Sequence, residues 1–147
     1  MSAMGVSIKV GDWQTLQADA MPIREAVFVV EQGVHLDEEI DAMDEHCLHA
    51  VAYDEQQRPL ATGRLLPDGH IGRMAVHLHA RKRNIGSLVL SELVEEARKR
   101  GHQVVILHAQ VHATHFYIKH DFVAEGDEFL EAAIPHIKMT RQLMPSA

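Results

Sequence analysis

Apolar positions in this chain fall into short alternating runs broken by two long helical stripes. Residues 6–10 alternate and predict a first strand. Over residues 13–32, Leu16, Ala20, Ile23, Val27 and Val30 recur at three- and four-residue spacing, the stripe of a helix buried on one side. Pro22 is a point to break or restart that helix, and Gly33 is its stop. A short second helix fits the acidic stretch that follows. Residues 47–54, 60–66 and 71–76 read as strands, separated by turn sequences at 55–59 and at Pro67-Asp68-Gly69, which predicts an antiparallel meander. The clearest helix spans 85–100. Ile85, Val89, Leu93 and Ala97 recur every fourth position, and Leu88, Leu90 and Val94 widen the stripe. Arg98, Lys99 and Arg100 suit its C-terminal dipole and Gly101 its end. Residues 104–108 form a compact buried strand, 113–120 a short helix, and 122–124 with 134–144 a closing strand pair. The strands at 71–76 and 104–108 flank a helix and are expected to run parallel with a right-handed crossover, which makes the sheet mixed. Neither a repeat nor a linker interrupts the chain, so residues 1–147 are read as one domain.

Composition narrows the picture. A chain of 147 residues with 46 % hydrophobic content can bury a real core. No apolar run reaches the roughly 18–20 residues of a membrane helix, so no membrane partner is expected. The opening MSAMGVSIKV lacks the basic-then-apolar layout of a signal peptide. Cys47 is the single cysteine; it sits in an apolar run, is expected to be a buried thiol, and fits a cytoplasmic location. A formal net charge of −7 argues against nucleic acid as a partner. The charge is uneven: residues 31–45 hold seven acids (Glu31, Asp37, Glu38, Glu39, Asp41, Asp44, Glu45) and no Lys or Arg. A solvated loop and a rim that attracts cations are both open readings of that stretch.

The segment with the most chemistry is the strand at 71–76, the basic loop Arg81-Lys82-Arg83-Asn84-Ile85-Gly86, and the helix that follows. N–H groups at a helix start are unpaired and lie at the positive end of the dipole, so they bind anions, and three cations beside them add to that preference. A phosphate or pyrophosphate is the natural ligand. No Gly-Lys-Ser/Thr follows, which disfavours a nucleotide-hydrolysing loop.

That loop resembles the Arg/Gln-x-x-Gly-x-Gly/Ala cofactor loop of the GNAT superfamily of acetyl-CoA-dependent N-acetyltransferases. Asn84 stands where the first glycine belongs, and Asn is the non-glycine residue that best tolerates positive φ. Residues 107–122 resemble the family segment Asn-x-x-Ala-x-x-x-Tyr-x-x-x-Gly-Phe, with Gln110 for Asn and Asp121 for Gly. Arg24-Glu25-Ala26-Val27-Phe28-Val29-Val30-Glu31-Gln32, Phe129-Leu130-Glu131 and Ile134-Pro135-His136 add matches to the ElaA-like branch. The resemblance covers nearly the whole chain. It implies an α/β (mixed α+β) GNAT fold. Six to seven mostly antiparallel strands would be flanked by about four helices, with a splayed parallel pair receiving acetyl-CoA. It also admits a homodimer.

The resemblance further implies that an amine attacks the acetyl-CoA thioester directly. Met74, Ala75 and Val76 would pair with the pantetheine arm, and a backbone N–H near Val76 would polarise the thioester oxygen. N–H groups of Arg81, Lys82, Arg83, Asn84, Ile85, Gly86 and Ser87 would hold the pyrophosphate, and Gln110 and Tyr117 complete the cofactor set. Tyr117 matches the usual general acid. A free phenol has a pKa near 10 and a thiol near 8.5, so full proton transfer is uphill by roughly 2 kcal/mol, and hydrogen-bond donation to the thiolate is the alternative. Candidates for the base are Glu31, Glu131 and His136, each also readable as an ordinary surface group, and water alone is a further candidate. The acidic stretch falls where the family builds one wall of the acceptor groove, so a cationic amine is an expected acceptor. His108-x3-His112-x2-His115 and His77-x-His79 lack partners to close a zinc site, and no metal is expected. The competing function is a non-catalytic acyl-CoA-binding module of the same fold.

Overall fold

The structure, a computed structural model, describes residues 5–39 and 41–144. The first four residues of the leader reading, and the side chains of Asp37 and Glu38 from the acidic stretch, lie outside the described residues. Strands β1 (Ser7–Gly11), β2 (Leu48–Tyr53), β3 (Pro59–Leu65) and β4 (Ile71–Val76) form one antiparallel sheet in sequence order. Strands β5 (Val104–Gln110), β6 (Val123–Glu131) and β7 (Ile134–Gln142) form a second, ordered β5-β7-β6 and also antiparallel. The helices are α1 (Trp13–Arg24), α2 (Leu36–Glu39), α3 (Ile85–Lys99) and α4 (Thr114–Ile118).

Alternation along β2 explains why a strand so uniformly apolar belongs here. Ala50 and Ala52 face one hydrophobic cluster with Val89, Leu90, Leu93 and Ala97 of α3. Val51 and Tyr53 face the other, with Leu16, Ala20 and Ile23 of α1. Successive side chains of a strand point to opposite faces, so α1 and α3 cover the two sides of this sheet. Each fully buried Leu, Ile or Val contributes about 1.5–3 kcal/mol of transfer free energy.

Three expectations change. The helix at 13–32 is α1 continued by a π-helical segment (Glu25–Glu31). Pro22 inside α1 offers no N–H to the carbonyl of Ala18, and the wider turns close through Gln32 N–H to Val27 O at 3.1 Å and Val34 N–H to Phe28 O at 2.8 Å. Those turns rotate Val30 off the apolar stripe and leave it 80 % exposed. Gly33, at φ +74°, ends the segment as expected. The closing strand at 122–124 is instead the nine-residue β6. Its hairpin with β7 turns on Ala132 and Ala133 at φ +51° and +62°, an unusual pair for the primed turn. The expected parallel pairing of β4 with β5 shrinks to a single bridge, His70 to Ile106, with Ile106 N–H donating to Gly69 O at 3.2 Å. Beyond it the strands part.

Candidate active site

A bulge starts the divergence. Thr62 pairs with Ala75 and Arg64 with Gly72, so Gly63 alone on β3 faces both Arg73 and Met74 on β4. Arg73 takes φ +51°, a left-handed conformation that costs a non-glycine residue about 1–2 kcal/mol. Its guanidinium is tied down, with Nε donating to Glu39 O at 3.0 Å and Nη2 to Asp41 Oδ2 at 3.2 Å.

The gap between β4 and β5 is a cavity of about 800 Å3. One wall is the β4 edge from Gly72 to Val76, another is His108 and Gln110 of β5, and Phe116 and Tyr117 of α4 close the side. The π-helical segment supplies Phe28 and Glu31 opposite, with Gln32 just after it. Gln32 and Gln110 bridge its mouth through a reciprocal amide pair at 3.3 and 2.9 Å.

The basic loop leads into the start of α3 at one end of this cavity. Lys82 at φ +66° and Asn84 at φ +60° both take left-handed conformations, so Asn84 fills the glycine position in the geometry expected of it. Asp121 likewise sits at φ +66° after α4. Alternating conformations of this kind turn successive N–H groups toward one side, an anion-receiving nest. A Cβ placed on Gly86 would meet Val76 Cγ2 at 3.4 Å and Phe116 at 3.6 Å in ordinary contact. Gly86 lines the cavity and no side chain caps the start of α3, which leaves its first N–H groups open to a ligand. Lys82 and Arg83 are exposed; Ile85 is buried in the core, leaving only its backbone for a ligand. Ser87 meets His120 at 2.9 Å. The Arg81 guanidinium is already committed at the cavity wall: it holds Glu31 in a two-pronged pair at 2.6 and 2.7 Å and donates Nε–H to Val76 O at 3.0 Å. An open helix N-terminus, a nest and an unpaired strand edge along one cavity fit a pyrophosphate joined to an extended amide arm.

The candidate catalytic groups share the cavity but differ in environment. Tyr117 is half-buried, edge-on to Phe116 at 5.0 Å, and burial pushes its phenol up to about 12. Glu31 is held below the usual carboxylate range by its hydrogen bond from Arg81. Glu131 accepts from His108 Nδ1 at 3.0 Å. His136, readable from sequence as a surface residue of its strand, is only 6 % exposed, because Phe129 stacks on it and its Nδ1 lies 2.6 Å from Ile134 O. Ala75 directs its side chain into the cluster under α1, so it offers a ligand backbone alone.

Neither reading of the acidic stretch holds for Glu39, Asp41 and Asp44. Buried Arg24 pairs with Glu39 and with both oxygens of Asp44, the latter at 2.8 and 3.0 Å. Arg64 reaches Asp41 and Asp44 at 2.8 Å. Burial works to raise the Asp44 carboxyl, and Arg24 and Arg64 outweigh it, leaving it lowered. Hydrogen bonding from Arg64 brings Asp41 down to about 2. These acids neutralise arginines from α1, β3 and β4. Their partners are distant in sequence, which hid the pairing. Cys47 is buried as expected, and burial pushes its thiol up to about 11. Among the described residues no group of three or more His, Cys, Asp or Glu is placed to hold a metal. His70 and Arg73 line the cavity and carried no sequence signal of it, while Gln32 and His108 fell inside segments that resembled the family without being assigned a role there.

A splayed strand pair, a basic loop at a helix start and a tyrosine lining the gap are the features expected of a site for acyl-CoA. The profile of the acetyltransferase (GNAT) domain matches residues 16–143, and this chain belongs to that family. The uncharacterized N-acetyltransferase YjcF of Bacillus subtilis is 38 % identical over 127 residues, covering 84 % of this chain and 90 % of that protein. Among solved structures, an acyl-CoA N-acyltransferase from Pseudomonas aeruginosa superposes with TM-score 0.80 at 28 % identity, over 92 % of this chain and 99 % of that one. Escherichia coli ElaA gives TM-score 0.83 at 27 % identity over the same shares.

Proposed function

We propose that this protein transfers an acetyl group from acetyl-CoA to a primary amine of a small molecule or protein. The observation that carries the reading is the convergence of the free β4 edge, the open start of α3 and Tyr117 on one cavity. Acetyl-CoA supplies a thioester carbonyl for the amine to attack. Backbone groups of Met74, Ala75 and Val76 orient the arm as an added strand would, and a β4 N–H polarises the carbonyl oxygen. N–H groups from Lys82 to Ser87, with the Lys82 and Arg83 side chains nearby, hold the pyrophosphate; the Arg81 N–H, expected from the sequence to join them, is instead given to Leu78 O at 3.3 Å. Tyr117, with its phenol at about 12, lies roughly 3.5 pH units above an ordinary thiol, a gap of about 5 kcal/mol. Tyr117 therefore stabilises the departing thiolate by donating a hydrogen bond rather than by giving up its proton. The same burial raises the thiolate's basicity and narrows that gap.

Calorimetry of acetyl-CoA on the wild type and on Asn84→Gly, followed by thiol release in the presence of primary amines, tests this reading. Micromolar binding with amine-dependent thiol release is expected. Binding without release would favour the non-catalytic acyl-CoA module, and no binding by either protein would remove the acetyltransferase reading.

A further inference from the structure

At neutral pH an alkylamine is mostly an ammonium ion, which has no electron pair for attack. Removing that proton takes a base, either water alone or a group that lines the cavity. Glu31 is occupied by Arg81, so protonating it would break a two-pronged ion pair. The His136 ring is nearly enclosed and its Nδ1 is committed to the Ile134 carbonyl. His108 differs from both. It lies on β5 two residues beyond the last contact with β4, where the gap opens, and it lines the cavity. Its side chain is 40 % exposed, which gives a proton a way out to solvent.

The Glu131 carboxylate can only accept, so the Nδ1 it contacts at 3.0 Å is the donor. In the neutral ring the electron pair then resides on Nε2, for which no partner is found among the described residues. This is the logic by which a carboxylate fixes a histidine tautomer and leaves the opposite nitrogen as a base. Glu131 is itself held between two imidazoles, with His136 Nε2 at 3.8 Å from its other oxygen. The remaining polar neighbours are His70, edge-on at 5.8 Å and paired with Asp68, and Lys138, opposite His108 on β7 and 3.9 Å from Glu125. Phe129 packs against the ring at 5.1 Å.

We propose that His108 is the general base that deprotonates the acceptor amine and that Glu131 is its positioning residue, a step that rests on the acetyltransferase reading. One proton passes from the ammonium to Nε2 and on to solvent. The freed electron pair forms the C–N bond, and the C–S bond breaks with its pair going to sulfur. Nitrogen loses a second proton as the amide forms, and the thiolate gains one. The sum is amide, thiol and one released proton.

Two amines separate this role from a structural one. Benzylamine is an ammonium ion at pH 7, whereas aniline is already neutral. His108→Gln is expected to lower kcat/KM for benzylamine at pH 7 by at least about tenfold. That deficit closes as pH rises toward the amine's own pKa, aniline is affected less than about threefold, and the acetyl-CoA Kd is unchanged. Glu131→Gln gives a smaller loss with the same pH dependence. Nitrogen-15 NMR of the imidazoles reads the tautomer without any need for turnover: His108 carries its proton on Nδ1 in the wild type and loses that preference in Glu131→Gln. An equal deficit for both amines at every pH, no deficit at all, or an Nε2–H tautomer in the wild type overturns the proposal. A wild type that binds no acetyl-CoA and acetylates neither amine removes the acetyltransferase reading and this step with it. A wild type that acetylates amines while His108 carries its proton on Nε2 removes this step alone.

Discussion

Gly63→Ala is the perturbation that most directly links packing to the cavity. A Cβ at Gly63 would lie 2.5 Å from Met74 Sδ, 2.8 Å from Leu93 Cδ1 and 3.2 Å from Val89 Cγ1. Contacts under 3 Å do not survive, so something must move. Leu93 and Val89 are fully buried against the sheet and have little room to yield. Met74 is only partly buried and sits in the β4 bulge on the cavity wall, so most of the displacement falls there. Overpacking of this size costs about 1–3 kcal/mol. At roughly 2–4 °C per kcal/mol for a chain of this length, the melting temperature should fall by about 3–10 °C. Scanning calorimetry measures that fall, and titration of acetyl-CoA measures what the shifted β4 edge does to binding, where weakening is expected. Met74→Ala removes one of the two sub-3 Å contacts. The double variant should therefore be more stable than the sum of the single changes by at least about 0.5 kcal/mol. A melting temperature within about 1 °C of the wild type, or strict additivity with Met74→Ala, would refute the account of why β3 carries a glycine here.

Tyr117→Phe should lower kcat by about 100-fold and change the acetyl-CoA Kd far less than that; an unaltered kcat would make Tyr117 a packing residue only. Arg24→Met strands Glu39 and Asp44 without their shared guanidinium and should cost about 3–5 kcal/mol in urea unfolding, and a loss below about 1 kcal/mol would show that the network is not what holds this segment. Asp41 and Asp44 have pKa values lowered on folding, so the stability they contribute is complete above the ordinary carboxylate range and is lost as pH falls below it, for Asp41 toward about 2. Asp41 is partly exposed, so its share is only about 1 kcal/mol, and Asp41→Asn should flatten the acid limb by that amount. Ala133→Gly, at φ +62°, relieves a left-handed alanine and should stabilise the β6–β7 hairpin by about 0.5–1 kcal/mol in thermal unfolding.

Legibility in the sequence followed the reach of each signal. The α3 stripe spans four turns of one helix, so its period and its Arg-rich end appear within sixteen residues, and the structure places it at Ile85–Lys99. Asn84 was readable for a similar reason: a left-handed position favours Gly, then Asn, whatever lies elsewhere. Strand β6 failed both tests. Its segment Val-Ala-Glu-Gly-Asp-Glu-Phe-Leu-Glu does not alternate because most of the strand is exposed, and pairing with β7 shifts register between Glu125 and Phe129. The turn after it is Ala-Ala, where Asn-Gly would have announced a hairpin. The π-helical segment kept an apolar composition but changed its pitch, so a stripe drawn at 3.6 residues per turn put Val30 on the wrong side.

What escaped the sequence most completely is also what shapes the cavity. Gln32 meets Gln110 across 78 residues and Glu31 meets Arg81 across 50. Arg73, at the bulge, reaches Glu39 and Asp41 across more than 30. Each pair joins the segment running from the π-helical turns to residue 41 to β4, the basic loop or β5, which are the separate walls of one gap. The two apolar clusters that join the helices to the sheets would close such a gap rather than hold it open. Directional polar contacts at the rim fix the walls at a set spacing without filling the space between them, and they do so with residue types that a hydrophobic pattern assigns to solvent. That division accounts for what each residue type revealed. Apolar positions announced the scaffold in advance. Polar positions such as Gln32, Arg73 and His108 took their meaning only when the chain brought their partners within hydrogen-bonding distance.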